Sequence, residues 1–239
     1  MTTVGLLYPG HSAEDDYSRI EALITGLNCP MVHTDLGEDA HRVDPLQEMG
    51  SSERLAVGVE QLRLSGAESV VWACTSGSFV YGWEGAHEQI RALAAAAGLP
   101  ASSTAFAFAH AAQALGVTRV SVAATYPPDV TEQFVRFLAA AGVEVVGARS
   151  SGIVTSAEVA RWGRERVLEL VRAGDHPQAE AVLVPDTALH TVAFLPELEA
   201  AVGKPVLTAN QVTVWEGLRL AERRGARSTE LGRLFAGEE

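Results

Sequence analysis

Residues Glu68–Gly82, ESVVWACTSGSFVYG, decide how the rest of the chain is read. The run Val70 to Ala73 has the length and apolar character of a buried strand. It stops at Cys74, and Thr75, Ser76, Gly77 and Ser78 form a small polar loop before a helical pattern begins near Trp83. A thiol at the carboxyl end of a strand, among hydroxyls and backbone N–H groups, is a candidate reactive site, because open α/β sheets bind ligands at such ends. A helix N-terminus following it would favour thiolate over thiol.

The same pattern returns in the second half. Glu180–Thr187, EAVLVPDT, parallels ESVVWACT, with Asp186 where the first copy has Cys74. The spacing of Cys74 to Asp186 equals that of Thr75 to Thr187 and of Glu68 to Glu180. Tyr8-Pro9 after the first strand has its counterpart in Tyr126-Pro127, and Gly98-Leu99-Pro100 in Gly203-Lys204-Pro205. The expected fold is therefore α/β, with two pseudo-symmetric lobes of parallel sheet flanked by helices and an active site in the cleft between them. The boundary is expected near Gly116, giving lobes 1–116 and 117–239, with the last helix packing back onto the first lobe.

Working outward, Val4–Tyr8, Pro30–Thr34, Ala101–Thr104, Val117–Ala123, Val143–Ala148, Val182–Val184 and Pro205–Thr208 read as further strands. Ser12 is expected to cap a helix whose first turn holds Glu14, Asp15 and Asp16. Other helices are expected over Ser52–Ser65, from Glu84 to Ala97, to Leu115, and over Thr131–Ala141, Ser156–Arg172, Leu189–Val202 and Gln211–Arg223. Asp35–Gly50 reads as a long acidic loop over a sheet edge. The tail from Gly225 is expected to fray.

Composition excludes several function classes. Among 239 residues, 30 are acidic and 18 basic, so the net charge of −12 argues against nucleic acid and anionic membrane surfaces as partners. No apolar run approaches membrane-span length. The N-terminal stretch MTTVGLLYPG enters a strand directly, so no secretory leader is expected. Two cysteines without metal or C-x-x-C spacing suit a reducing cytoplasm. The seven histidines show no metal-ligand spacing, and GxGxxG and GxxxxGK[ST] are both missing, so no metal and no nucleotide cofactor is expected.

In its YPG turn, ACTSGS loop, Tyr126, strand end at Asp186 and GKPVLTANQVTVWEGLR segment, the chain resembles the aspartate/glutamate racemase superfamily. Within it, the maleate cis-trans isomerase and arylmalonate decarboxylase branch is most similar. That resemblance implies cofactor-independent chemistry beside a carboxylate, a small carboxylate or dicarboxylate substrate, and a homo-oligomer. It assigns Cys74 to the position of the first catalytic cysteine, and Thr75, Ser76 and Tyr126 to a cradle for the substrate carboxylate. The pattern departs at the second cysteine position, where Asp186 stands. It departs again at Pro9-Gly10-His11-Ser12 and Thr155-Ser156, where maleate isomerases offer asparagines.

Chemistry at a carbon next to a carboxylate needs fixed donors for the enediolate-like charge that develops. The Thr75–Ser78 loop, Tyr126 and Thr187 can supply them. Cys74 would donate or accept the proton, or add as nucleophile, and Asp186 would act as acid or base across the cleft. Pro9, His11 and Ser12, in the turn after the first strand, are expected to contact substrate. The leading expectation is an isomerase of the maleate type. An arylmalonate-type decarboxylase or a racemase-like enzyme is the alternative, and a non-catalytic carboxylate binder the rival from another class. The apolar helix Ala105–Leu115 is a candidate subunit interface.

Overall fold

A computed structural model of the chain describes residues 1–223 and 225–236. The four central strands are apolar on both faces and almost wholly excluded from water: β1 (Thr2–Pro9), β4 (Ser69–Trp72), β6 (Arg119–Ala124) and β8 (Ala181–Val184). Such runs suit parallel sheets covered by helices on both sides. The remaining strands are β2 (Leu27–Asn28), β3 (Met31–Thr34), β5 (Ala101–Ser103), β7 (Glu144–Ser150) and β9 (Val206–Thr208). All pairings are parallel. The first sheet runs β2-β1-β4-β5, with β3 continuing the β2 edge beyond Cys29-Pro30, and the second runs β7-β6-β8-β9.

The two orders are the same once β1 is matched to β6 and β4 to β8. Each sheet therefore reverses its winding between its two central strands, and that is where open α/β sheets form a ligand crevice. Cys74 lies just past β4 and Asp186 just past β8, so the sequence repeat places both at these switch points.

The helix that closes each half packs beyond its own sheet. Ala209–Leu220 lies on β1 and β4 of the first sheet, where the Ser69 hydroxyl donates to the Gly217 carbonyl at 2.8 Å. It also lies along Thr104–Ala114, whose Phe106 and Phe108 reach Phe137 and Phe134 on the second half's helix Pro128–Ala140. Most of Thr104–Ala114 is consequently buried inside one chain, which removes it as a candidate subunit interface. Glu216, fully buried, joins the two crossing helices through His110 Nδ1 at 2.9 Å and also accepts Arg219 Nε of its own helix at 2.7 Å.

Close approach of helix and sheet needs glycine at two places. A Cβ on Gly217 would stand 2.2 Å from Val4 Cγ1, and one on Gly174 would stand 2.8 Å from the Ala123 Cα. The second neighbour is main chain of β6, a strand paired on both sides in its sheet, and cannot step aside. Gly174→Ala is expected to cost about 1–3 kcal/mol through overpacking, lowering Tm by roughly 2–12 °C for a chain of this size. Thermal unfolding followed by circular dichroism checks it.

Four expectations are corrected. Ser12 does not cap the first helix (Glu14–Leu23), because its hydroxyl is taken by Tyr8 at 2.6 Å and Ala13 occupies the cap position. Asp35–Gly50 is not merely a loop: Val43–Met49 is helical, with Leu46 and Met49 buried. The Ser156–Arg172 helix is broken, running as Ser156–Val159 and Arg164–Gly174 around Trp162 and Gly163. The tail does not fray up to Ala236, since Leu231 and Phe235 are buried in the core; its last three residues lie outside the described ones. Among the described residues, no helix is long and apolar enough to cross a membrane.

Candidate active site

Past β4 the chain does not stay irregular. Ser76–Phe79 makes a single helical turn, and Phe79 anchors it against Tyr126 and Phe134. Gly77 lets this turn fold back on the thiol: its N–H donates to Cys74 Sγ at 3.3 Å, and a Cβ there would meet Met49 and Sγ itself. The Gln89 amide holds the turn from behind, donating to the Gly77 and Gly50 carbonyls at 2.8 and 2.7 Å.

Cys74 is 3% exposed. Burial pushes its thiol up to about 12, and the nearby Asp186 carboxylate adds to the rise, against the opposing Gly77 N–H and Ser76 hydroxyl. The help toward ionisation that a following helix N-terminus would give is outweighed, and the thiol is held protonated. One helical turn offers too small a dipole to outweigh desolvation.

Asp186 enters from the other lobe, also buried. One carboxylate oxygen accepts the Ala188 N–H at 2.9 Å, and the other accepts the Thr125 hydroxyl. Two tyrosines fix its loop from either side. The Tyr126 hydroxyl donates to the Pro185 carbonyl at 2.7 Å, and that of Tyr8 to the Thr187 carbonyl at 2.9 Å. Burial raises both phenols far above their ordinary range, so both stay hydrogen donors.

Cys74, Ser76, Tyr126, Asp186, Thr187, Pro9 and Ser12 line one cavity of about 30 Å³. Thr75 lies fully buried between Cys74 and Ser76, its hydroxyl without a hydrogen-bond partner among the described residues. Unlike its two neighbours, Thr75 is not among the residues that line the cavity. His11, by contrast, points to solvent, 77% exposed and stacked on His33. The left-handed Gly10 (φ +66°) turns the chain before it, so His11 is corrected to a residue outside the cavity.

The sequence reading missed the cover. Leu36, Asp39, Ala40 and His41 close the cavity from the first lobe, with Leu46 and Met49 behind them. This segment bridges to the second lobe. Asp39 accepts the Ser156 N–H and hydroxyl, both at 2.8 Å, and the Ala157 N–H at 3.0 Å. His41 Nδ1 donates to the Ile153 carbonyl at 2.8 Å while the ring stands edge-on to Tyr126. Val43, Leu46 and Met49 recur every third residue with Pro45 in the first turn, a helical signal that the surrounding acidic residues mask.

No Lys or Arg lines the cavity among the described residues, and Glu38, Asp39 and Asp186 all do. A bound carboxylate would therefore be held by hydroxyl and N–H donors, not by an ion pair.

Two pseudo-symmetric α/β lobes thus each bring one titratable side chain, Cys74 or Asp186, from equivalent strand ends into one shared cavity. The profile of the arylmalonate decarboxylase family matches residues 45–235. The chain belongs to that family. An arylmalonate decarboxylase from Bordetella bronchiseptica is 33% identical over 177 residues, 73% of this chain and 74% of that one. A maleate isomerase from Geobacillus stearothermophilus is 28% identical over 177 residues, 70% of this chain and 68% of its own. Among solved structures, a liganded arylmalonate decarboxylase double mutant, with a glycine changed to cysteine and a cysteine to serine, is similar with a TM-score of 0.87. It is 28% identical, and the match covers 99% of both chains. The chain is an enzyme of the arylmalonate decarboxylase and maleate isomerase branch that its motifs resemble, with the α/β architecture expected of it.

Proposed function

We propose that this enzyme works without a cofactor on a small carboxylate or dicarboxylate, at the carbon next to a carboxylate, with cis-trans isomerisation of the maleate type as the first reading. One observation carries it: Cys74 and Asp186 meet in one cavity from opposite lobes and from equivalent strand ends. The likeness to a maleate isomerase supports it.

In this mechanism the Cys74 thiol adds across the double bond. Sulfur bonds to one alkene carbon, and the thiol proton passes through the Asp186 carboxylate to the other. The former double bond, now single, rotates. Asp186 then takes a proton from the second carbon as the carbon–sulfur bond breaks, and returns it to sulfur. The substrate carboxylate carries developing enediolate charge, met by the Ser76 hydroxyl in the cavity wall and the unpartnered Thr75 hydroxyl beside it. Removing one such donor costs about 100–1000-fold in rate.

The state of the thiol favours a second reading. Held protonated, Cys74 is ready to give its proton to an enediolate left when a malonate loses carbon dioxide, and the relative from Bordetella is named for that reaction. In both readings Thr187, Pro9 and Ser12 shape the pocket around the substrate. A cavity of about 30 Å³ holds one or two waters. The Leu36–His41 cover must therefore open for substrate to enter and close to exclude water. Two unpaired cysteines suit a reducing, cytoplasmic setting.

Proton NMR in deuterated water, with maleate and with aryl- and alkylmalonates, tests the proposal. Fumarate appearing from maleate supports the first reading, and a deuterated monoacid appearing from a malonate supports the second. Inertness toward the whole panel overturns both. Asp186→Asn is expected to lower isomerisation by about 10²–10⁴-fold, the range of a lost acid or base. An unchanged rate would remove Asp186 from the chemistry.

A further inference from the structure

The fold brings His33, from a neighbouring strand, onto the pair His11 and Glu14, which lie three residues apart. His11 Nδ1 lies 3.2 Å and His33 Nε2 3.0 Å from the same carboxylate oxygen, Glu14 Oε1. The three donor atoms all fall within 4.8 Å of one another. Metal–nitrogen and metal–oxygen bonds of about 2.0–2.1 Å give a tetrahedral ligand edge of about 3.3 Å, so two edges of a ligand triangle are already near their bound length. The two rings stack with centroids 3.9 Å apart, which keeps their donor edges on one side.

The backbone beneath the trio is fixed. His33 sits on β3 opposite Tyr8 of β1, and Glu14 opens the helix Glu14–Leu23. The second carboxylate oxygen of Glu14 accepts the Ser12 N–H at 3.0 Å, which aims the first at the histidines. Metal-binding carboxylates are oriented by outer partners in this way. His11 is largely exposed, and it and His33 line an open groove together with Arg54, Val57 and Gly58, so further coordination positions are open to water.

We propose that His11, Glu14 and His33 bind one divalent first-row transition-metal ion, with Zn²⁺ matching the donor set. Two imidazoles and a carboxylate suit the ions from Co²⁺ to Zn²⁺. Each imidazole binds through the nitrogen that now faces Glu14 and keeps its proton on the other nitrogen, and water completes the coordination. The ion ties β1, β3 and the first helix together on the outer side of a turn whose inner side, Pro9 and Ser12, lines the catalytic cavity. Such a site would stand against the expectation of no metal. Spacing along the chain could not show it, because a β-strand neighbour supplies the third ligand.

The test is a titration of chelator-treated protein with Zn²⁺ and with Co²⁺ at about pH 8, above the ordinary imidazole pKa of about 6.5. One equivalent is expected to bind, with a visible Co²⁺ absorption band. Zn²⁺ at about 100 times its Kd should raise Tm by about 5–10 °C. His11→Ala and His33→Ala should each weaken binding at least about tenfold, while Cys74→Ser should bind as the parent does. A parent protein with no Tm shift and no Co²⁺ band overturns the proposal. Undiminished binding in both histidine variants overturns it too, as does loss of binding in Cys74→Ser alone.

Discussion

Cys74→Ser is expected to give a folded protein with almost no turnover, and the size of the loss separates the two mechanisms. If the thiol only delivers a proton, losing it should cost about 10²–10⁴-fold in kcat. If sulfur forms the bond to carbon, the loss should approach the ~10⁶-fold seen when a covalent nucleophile is removed. Serine keeps the small volume and polar tip, so the Ser76–Phe79 turn should hold its place. Its hydroxyl is both a much weaker acid and a poorer nucleophile than the thiol. Single-turnover kinetics at saturating substrate, with a thermal melt to verify folding, measures the effect. A variant with more than about a tenth of the parent rate would mean that Cys74 is only a buried small residue, the usual lot of an inert cysteine.

Glu216→Gln is expected to give the largest loss of stability. Burial alone would raise this carboxyl, but hydrogen bonds from Arg219 and His110, together with their charge, hold it at about 2, against an ordinary 4.5. The displacement corresponds to about 3 kcal/mol at about 1.4 kcal/mol per pKa unit. Because the folded-state pKa is depressed, the contribution is present in full above about pH 4.5 and disappears as the pH falls toward about 2. At neutral pH the variant should melt roughly 6–12 °C lower. Arg219 and His110 are partly exposed and can turn to water, which keeps the cost at the low end for a broken buried pair. Chemical denaturation at pH 7 and pH 3 checks both parts. The gap between parent and variant should narrow on acidification, and a gap independent of pH would refute the ionic origin.

The architecture was legible because it is written twice. Two apolar strands ending in Cys74-Thr75 and Asp186-Thr187, each preceded by a Tyr-Pro turn, placed both half-sites before any geometry was known. Three features were not legible. The side-chain direction of His11 depends on the left-handed Gly10 before it, and no residue pattern reports that dihedral. The ionisation of Cys74 is set by how completely the folded chain buries it, which the ACTSGS loop alone does not report. The cover was hidden because Asp35, Glu38, Asp39 and Asp44 make its sequence look solvated. In fact Asp39 is committed to the Ser156 backbone, and the apolar residues between the acids face the cavity. Tyr8 was seen only as a marker of the repeat. Its hydroxyl, holding the Thr187 carbonyl, ties the first strand of one lobe to the catalytic strand end of the other.

The packing of Ala209–Leu220 on β1 and β4 also bears on how the chain emerges from the ribosome. The cover of the first sheet is the last long helix to be translated. Until then Val4 and Ser69, which meet Gly217 in the finished protein, lack their neighbour, and part of an apolar sheet stands bare in a nascent chain. The amino-terminal half thus cannot mature on its own schedule; its completion waits for translation to finish. Separately produced halves should remain incomplete until mixed, and a stop codon before residue 209 would release a protein with an open core, a substrate for chaperones and proteases.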